Sequence, residues 1–156
     1  MHEPTRRHVL TGAGVAIATG ALAGCLSGDD GDGDDDDGEE DQLMDHLENA
    51  RGFDGDVRDH TGEDRVTVMN GGGDDGLAFD PAGIRIDAGT TVVWEWTGRG
   101  GAHDVASLPD SDFSFQSDRT DTEGHTFEHT FDEEGVALYE CQPHRGQRMK
   151  GGIDVV

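Results

Sequence analysis

Beyond residue 64 the chain breaks into short runs of strand length, each ended by glycine or aspartate, and this rhythm limits the fold more than any other feature. RVTVM at 65–69 alternates apolar and polar residues, and GGGDDG at 71–76 reads as a loop. IRID at 84–87 and TTVVWEW at 90–96 are β-rich and are parted by Ala88-Gly89. HTFEHTF at 125–131 alternates strictly, 132–135 form a turn, and VALYEC at 136–141 and GIDVV at 152–156 close the chain. Residues two apart share a strand face, so Val92, Trp94 and Trp96 point one way, as do Phe127, His129 and Phe131. Short strands joined by Gly/Asp turns predict an all-β chain, an antiparallel sandwich rather than a parallel sheet. The two tryptophans read as core filling.

Upstream the pattern changes. Arg6 and Arg7 form a twin-arginine pair ahead of a mildly apolar Gly/Ala-rich stretch at 9–23, and LAGC ends at Cys25. These residues resemble a twin-arginine lipoprotein signal at 1–24, with Cys25 as the lipid-modified residue after cleavage. LSGDDGDGDDDDGEEDQ follows, with no apolar periodicity and with adjacent carboxylates that repel one another. Residues 25–42 are therefore expected to form a disordered acidic tether. The tract lacks the spaced ligands and closing glutamate of a calcium loop. Leu43, Met44 and Leu47 allow one short amphipathic helix at 43–50, which opens a domain at 43–156.

The chain carries 35 acidic and 11 basic residues, a formal net charge of −24. That balance argues against nucleic acid, whose phosphates call for clustered Lys and Arg. Dense carboxylates keep a folded surface hydrated in a very salty medium. There the Debye length shrinks to about 3 Å, which leaves little long-range steering. Neither cysteine is expected in a disulfide, since each has another use: Cys25 in the signal and Cys141 in the stretch that follows.

YECQPHRGQRMK places Cys141, His144 and Met149 on one loop that leaves a strand. A thiolate and a thioether are soft ligands and imidazole is intermediate, a set that suits copper. His103, directly after the Gly-rich run at 98–101, supplies the further imidazole. Two His and one Cys in a plane, with Met as a weak axial ligand, describe a blue-copper electron-transfer site. A zinc site would show paired cysteines or a second histidine set. His125 and His129 have helical metal spacing but lie in an alternating strand, two pleats apart. A thiol nucleophile at Cys141 with His144 as base would leave Met149 and the His103 loop unexplained.

With those residues in place, the chain resembles the halocyanins, small blue copper proteins of salt-loving archaea related to plastocyanin within the cupredoxin family. The similar stretches are LAFDPAGIRIDAGTTVVWEWTGRGGAHDV at 77–105 and FEHTFDEEGVALYECQPHRGQRMKGGIDV at 127–155, joined by NARGFDGDVRDHTGED at 49–64. The resemblance implies a Greek-key β-sandwich and one copper held by His103, Cys141, His144 and Met149. It also implies a single-electron carrier rather than an enzyme, with His144 the ligand nearest solvent. The layout implied is a carrier exported folded and lipid-anchored at Cys25 on the outer face of the cell membrane. Its partners would be redox proteins of a membrane respiratory chain. The competing function is copper storage or delivery, which favours exposed and Met-rich ligands.

Three local features shape that expectation. The residue after the first histidine is commonly Asn in this family but is Asp104 here, so its charge is expected to lower the reduction potential. Pro143 has no N–H and cannot hydrogen-bond the Cys141 sulfur. Arg145, Arg148 and Lys150 flank His144 and either orient a carboxylate-bearing partner or balance local acids.

Overall fold

A computed structural model describes residues 36–156; the signal, Cys25 and the tether up to residue 35 lie outside the described residues. One helix precedes nine strands: α1 (Asp36–Leu47), β1 (Arg58–Asp59), β2 (Arg65–Gly72), β3 (Ala78–Asp80), β4 (Gly83–Ile86), β5 (Thr90–Trp96), β6 (Ala106–Ser107), β7 (Thr126–Phe131), β8 (Gly135–Glu140) and β9 (Lys150–Val155). They form a five-stranded sheet in the order β1-β4-β9-β8-β6 and a four-stranded sheet in the order β3-β2-β5-β7. The expected sandwich is present.

Strand direction is mixed, which corrects the expectation of antiparallel pairing. β2–β5, β4–β9 and β1–β4 run parallel, while β2–β3, β5–β7, β6–β8 and β8–β9 run antiparallel. The chain leaves the four-stranded sheet after β3, contributes β4 to the other sheet, and returns as β5 beside β2. Crossing between sheets sets direction in this way, and side-chain alternation is blind to it.

The core lies between the sheets. Trp94, Trp96, Tyr139, Phe79, Phe131 and Ile153 are fully buried there, and Trp94 meets Tyr139 edge-to-face at 5.3 Å. Phe115 sits against Trp94 at 5.4 Å. Phe127 and His129 are half-buried beside Phe131 on the inward face of β7. The two tryptophans fill the core as their shared strand face requires.

A second apolar layer covers the outside of the five-stranded sheet, where Leu43 and Leu47 of α1 pack with Ala82, Val136 and Leu138. Every residue of β8 is buried, because one face meets the sandwich core and the other lies under the helix. That double cover explains why VALYE lacks polar alternation. Neighbouring glycines make the helix seat: Gly83 pairs with Gly152, and a Cβ on Gly83 would lie 2.7 Å from the Leu47 side chain. A Cβ on Gly152 would overlap Leu43. Burial of each leucine stabilises the seat by about 1.5–3 kcal/mol.

The helix starts at Asp36 and ends at Leu47, earlier at both ends than the expected 43–50, and its first turns use residues assigned to the tether. Glu39 and Glu40 lie near its N-terminal end, where the helix dipole favours acids. Like-charge repulsion is overcome once Leu43 and Leu47 fix the segment on the sheet. At that end Glu40 sits 3.8 Å from Arg85, whose Nε donates to Asp154 at 2.6 Å. At the other end His46 Nε2 lies 3.1 Å from the Gly151 carbonyl, and the Arg51 N–H donates to the Arg148 carbonyl at 2.9 Å. The helix thus runs toward the end of β9 that carries Met149, over about 18 Å.

Candidate metal centre

Both donor-bearing loops lie at one pole of the sandwich. β8 ends at Glu140, and Cys141 follows directly, buried and free. Gln142–Gln147 then make a tight 3-10 turn with Pro143 in its first turn, where a missing N–H costs nothing. The Cys141 N–H donates to the Met149 carbonyl at 2.9 Å, and the His144 N–H to the Cys141 carbonyl at 3.1 Å. The loop is therefore closed at its neck by the continuing β8–β9 ladder. Met149 is fully buried in the same core as Cys141.

His103 arrives from the opposite loop. Its Nε2 donates to the Arg99 carbonyl at 2.6 Å, which turns Nδ1 toward the other donors with its lone pair available. Its backbone pairs with Thr120, and the Trp96 indole N–H donates to its carbonyl at 3.1 Å. Gly71 and Gly100, both at positive φ, close around the ring: a Cβ on either would come within 3.2 Å of Nε2. Thus the Gly-rich run after β5 lets backbone wrap a buried imidazole.

His103, Cys141 and His144 converge. The two Nδ1 atoms are 3.0 Å apart, and Cys141 Sγ lies 3.6 Å from His103 Nδ1 and 3.4 Å from His144 Nδ1. A point equidistant from these three atoms lies about 2 Å from each, the length of a metal–imidazole bond. His103 and Cys141 are buried and His144 is half-buried, so the cluster opens to solvent through His144. Two imidazoles, a thiol and a buried thioether at the loop neck fit copper by softness and by size.

Burial acts in opposite senses on the two loop donors, holding the thiol protonated until a metal displaces its proton and keeping the imidazole neutral. Burial pushes the Cys141 thiol up to about 11, and the backbone N–H groups of Asp104 and His144 oppose that rise. Pro143 supplies no N–H, so the donors at the sulfur are the N–H of the next residue, His144, and that of Asp104 on the facing loop. Burial, then the neighbouring His103, lowers the His144 pKa, which favours the neutral imidazole that binds metals.

Asp104 is buried beside His103. One of its oxygens accepts from the Gln142 N–H at 2.7 Å, tying the two donor loops, and the other lies 3.3 Å from an Arg119 guanidinium nitrogen. The carboxylate therefore carries a counter-charge that sequence did not disclose. Of the three expected basic residues, Arg145 is paired with Glu140, its Nε donating at 2.7 Å. Local charge balance accounts for Arg145, whereas Arg148 and Lys150 have no carboxylate partner among the described residues. His125 packs edge-on against Trp96 and His129 against Phe115 and Phe131, so both act as aromatic fillers. Arg99, Trp96 and Arg119 were not foreseen, since only the Gly-rich run hinted at that side of the site.

Residues 66–156 match the family described as copper binding proteins, plastocyanin/azurin family. The chain is 53% identical to the halocyanin of Natronomonas pharaonis over 99% of both chains. It is 33% identical to the plastocyanin of Scenedesmus fuscus over 58% of this chain and 98% of that one. Among solved structures, an amicyanin in its Cu(I) form overlays with a TM-score of 0.50, covering 62% of this chain and 87% of that one. At 18% identity that likeness concerns the fold alone, and the fold is the cupredoxin sandwich. The site accordingly takes one copper.

Proposed function

This chain belongs to the plastocyanin/azurin family of copper-binding proteins, as a halocyanin-like cupredoxin, and on that premise we propose that it carries single electrons through one copper held by His103, Cys141, His144 and Met149. One observation carries the reading: three donors already converge within 3.6 Å on a rigid sandwich, with the half-buried His144 as the opening to solvent. Bound copper supplies a one-electron couple of the blue type.

The residues of this chain limit how far that couple must rearrange. Arg99 and Thr120 fix the His103 ring and backbone, and the β8–β9 ladder fixes the neck between Cys141 and Met149. Donors held by hydrogen bonds and packing move little between oxidation states, which keeps transfer fast. The core around Cys141 excludes water, so electrons enter and leave at the His144 edge. Storage or delivery would favour exchangeable, exposed ligands, whereas Cys141 and Met149 are buried. Enzymes of this fold need further copper sites; here His46 is engaged with carbonyls, His60 with Glu63, and His125 and His129 with aromatic rings. We read the chain as a carrier, not an enzyme.

The remaining parts of the proposal concern location. Arg6-Arg7 and LAGC support export in the folded state and lipid attachment at Cys25, at the outer face of the cell membrane. A lipid-held carrier diffuses in the membrane plane, which supports redox proteins of a membrane respiratory chain as partners. The high acidic content supports a halophilic setting. Voltammetry of the copper-loaded chain tests the carrier reading: a reversible one-electron wave is expected, and copper lost on reduction would overturn it. Mass spectrometry of membrane-extracted protein is expected to find Cys25 as an acylated N-terminus.

A further inference from the structure

The described chain contains nine basic residues, and their pairing divides them by place. Away from the metal pole, Arg58, Arg65 and Arg85 are each bound to a carboxylate: Asp54, Glu128 and Asp154 respectively. At the pole, Arg51, Arg119 and Arg145 are likewise paired, with Asp75, Asp104 and Glu140. Arg99, Arg148 and Lys150 have no carboxylate partner within 4 Å among the described residues; the two arginines stand on the loops that carry the copper donors, and Lys150 opens β9 directly after Met149. In a chain with 35 acids, residues 97–103 and 141–150 contain none.

Arg148 caps the turn that carries His144, Lys150 opens β9 two residues on, and Arg99 stands on the loop that ends at His103. Arg99 is exposed; its own carbonyl accepts from His103 Nε2, and its guanidinium donates to the Asp74 carbonyl, which leaves its charge without a carboxylate. Arg148 is exposed and closes the 3-10 turn in the left-handed conformation at φ 61°. Lys150 stands opposite Glu140, itself bound to Arg145, in the β8–β9 ladder and is half-buried in a cleft of about 220 Å³ whose lining includes Glu140, Arg148 and Met149. Arg99 and Arg148 thus lie on the two different loops whose histidines meet at the site. The acidic start of α1 is fixed at the other end of the sheet by Glu40–Arg85.

We infer that this pole is a contact surface for the carboxylate-bearing face of a protein redox partner, held by Arg99, Arg148 and Lys150. The inference rests on the electron-carrier reading, since it gives the His144 edge something to face. In concentrated salt the surface does not steer from afar, because screening confines charge to about 3 Å. It selects at contact instead. An acidic partner meets here two donor loops without acids of their own, with Asp75 beside them neutralised by Arg51, whereas elsewhere it meets the like charge of an acidic surface, which disfavours wrong orientations.

The test titrates the full chain, loaded with Cu(I), with an oligoglutamate probe and follows backbone amide shifts at low and at molar salt. Shifts are expected to centre on residues 97–103 and 141–150. A variant carrying Arg99→Gln, Arg148→Gln and Lys150→Gln is expected to bind the probe about tenfold more weakly. A variant carrying Arg58→Gln and Arg65→Gln is expected to bind as the parent does. An Arg148→Gln/Lys150→Gln pair that keeps the parent's copper absorption gives the same answer if the triple variant misfolds. Equal binding by parent and pole variants, or shifts scattered over the sandwich, would overturn the inference. So would tighter binding of phosphatidylglycerol vesicles at the same loops, which would make the pole a membrane contact. No electron moves in this titration, so a chain that binds the probe yet fails to cycle its copper overturns the carrier reading and not the surface.

Discussion

The two loops that meet at the metal centre are built on opposite principles. The first, ending at His103, is held by backbone wrapped closely round a side chain, with Gly71 and Gly100 against the imidazole. The second, from Cys141 to Met149, is held at its neck by sheet hydrogen bonds, and its tip stands clear: a Cβ on Gly146 would meet nothing within 4 Å. One loop buries its histidine and the other leaves its histidine at the surface. A carrier needs both, a fixed donor set and an edge that a partner can reach.

The sharpest way to break this contrast is to add the same methyl group to each loop. Gly100→Ala puts a Cβ into the Gly76 carbonyl at a φ of 78°, and is expected to cost about 3 kcal/mol or more and to weaken copper binding. Gly146→Ala is expected to stay within about 0.5 kcal/mol of the parent. Denaturant midpoints with matched copper titrations check both, and similar losses at the two positions would remove the distinction.

Trp96→Phe asks how much of the first loop depends on one bond. It keeps most of the aromatic bulk but loses the donation to the His103 carbonyl, and is expected to cost about 1–3 kcal/mol of stability. Amide exchange should rise at 97–103 and not at 142–148.

The link between the loops runs through Asp104, which accepts from Gln142 and faces Arg119. Asp104→Asn keeps the acceptor and removes the charge, so the reduction potential is expected to rise. Arg119→Met leaves the carboxylate without its counter-charge and is expected to lower it. Each shift is of the order of 60 mV, one tenfold step in a one-electron equilibrium. Potentials that move the same way in both variants would refute an electrostatic role.

The smallest expected effect lies at His46, beneath the second loop. Burial is the main cause that lowers its pKa from 6.5, with Lys150 next, so the folded chain takes its proton less readily than the unfolded chain. Its contribution to stability is present above pH 6.5 and is lost as the pH falls below that value toward the lowered pKa. His46→Gln retains an N–H donor for the Tyr139 and Gly151 carbonyls but does not titrate. The difference in unfolding midpoint between the two chains is therefore expected to shrink or reverse on going from pH 7.5 to about pH 5.5.

How legible this was differs between the same two regions. The Cys141–Met149 loop could be read because its donors lie on one short stretch after a recognisable strand. β5 has the bounds its β-branched and aromatic run predicts, 90–96. His103 needed the inference that a histidine after a Gly-rich turn reaches a distant loop. Its supports, the Arg99 carbonyl and the Trp96 indole, lie only four and seven residues away but were hidden because each contact uses a backbone carbonyl, which residue type does not mark. The parallel pairs β2–β5 and β4–β9 were missed for a similar reason, since strand direction depends on crossings between sheets. The two-residue strands β1 and β6 are too short to leave a periodic signal.

The central claim is that His103, Cys141, His144 and Met149 hold one copper for electron transfer. Titration of the purified chain with Cu(II), read by visible absorption and metal analysis in parallel with Cys141→Ser, tests it most directly. One tightly held copper per chain with intense blue colour is predicted, and Cys141→Ser should lose that colour. A colourless copper, more than one bound equivalent, or unchanged colour without the Cys141 thiol would contradict the account.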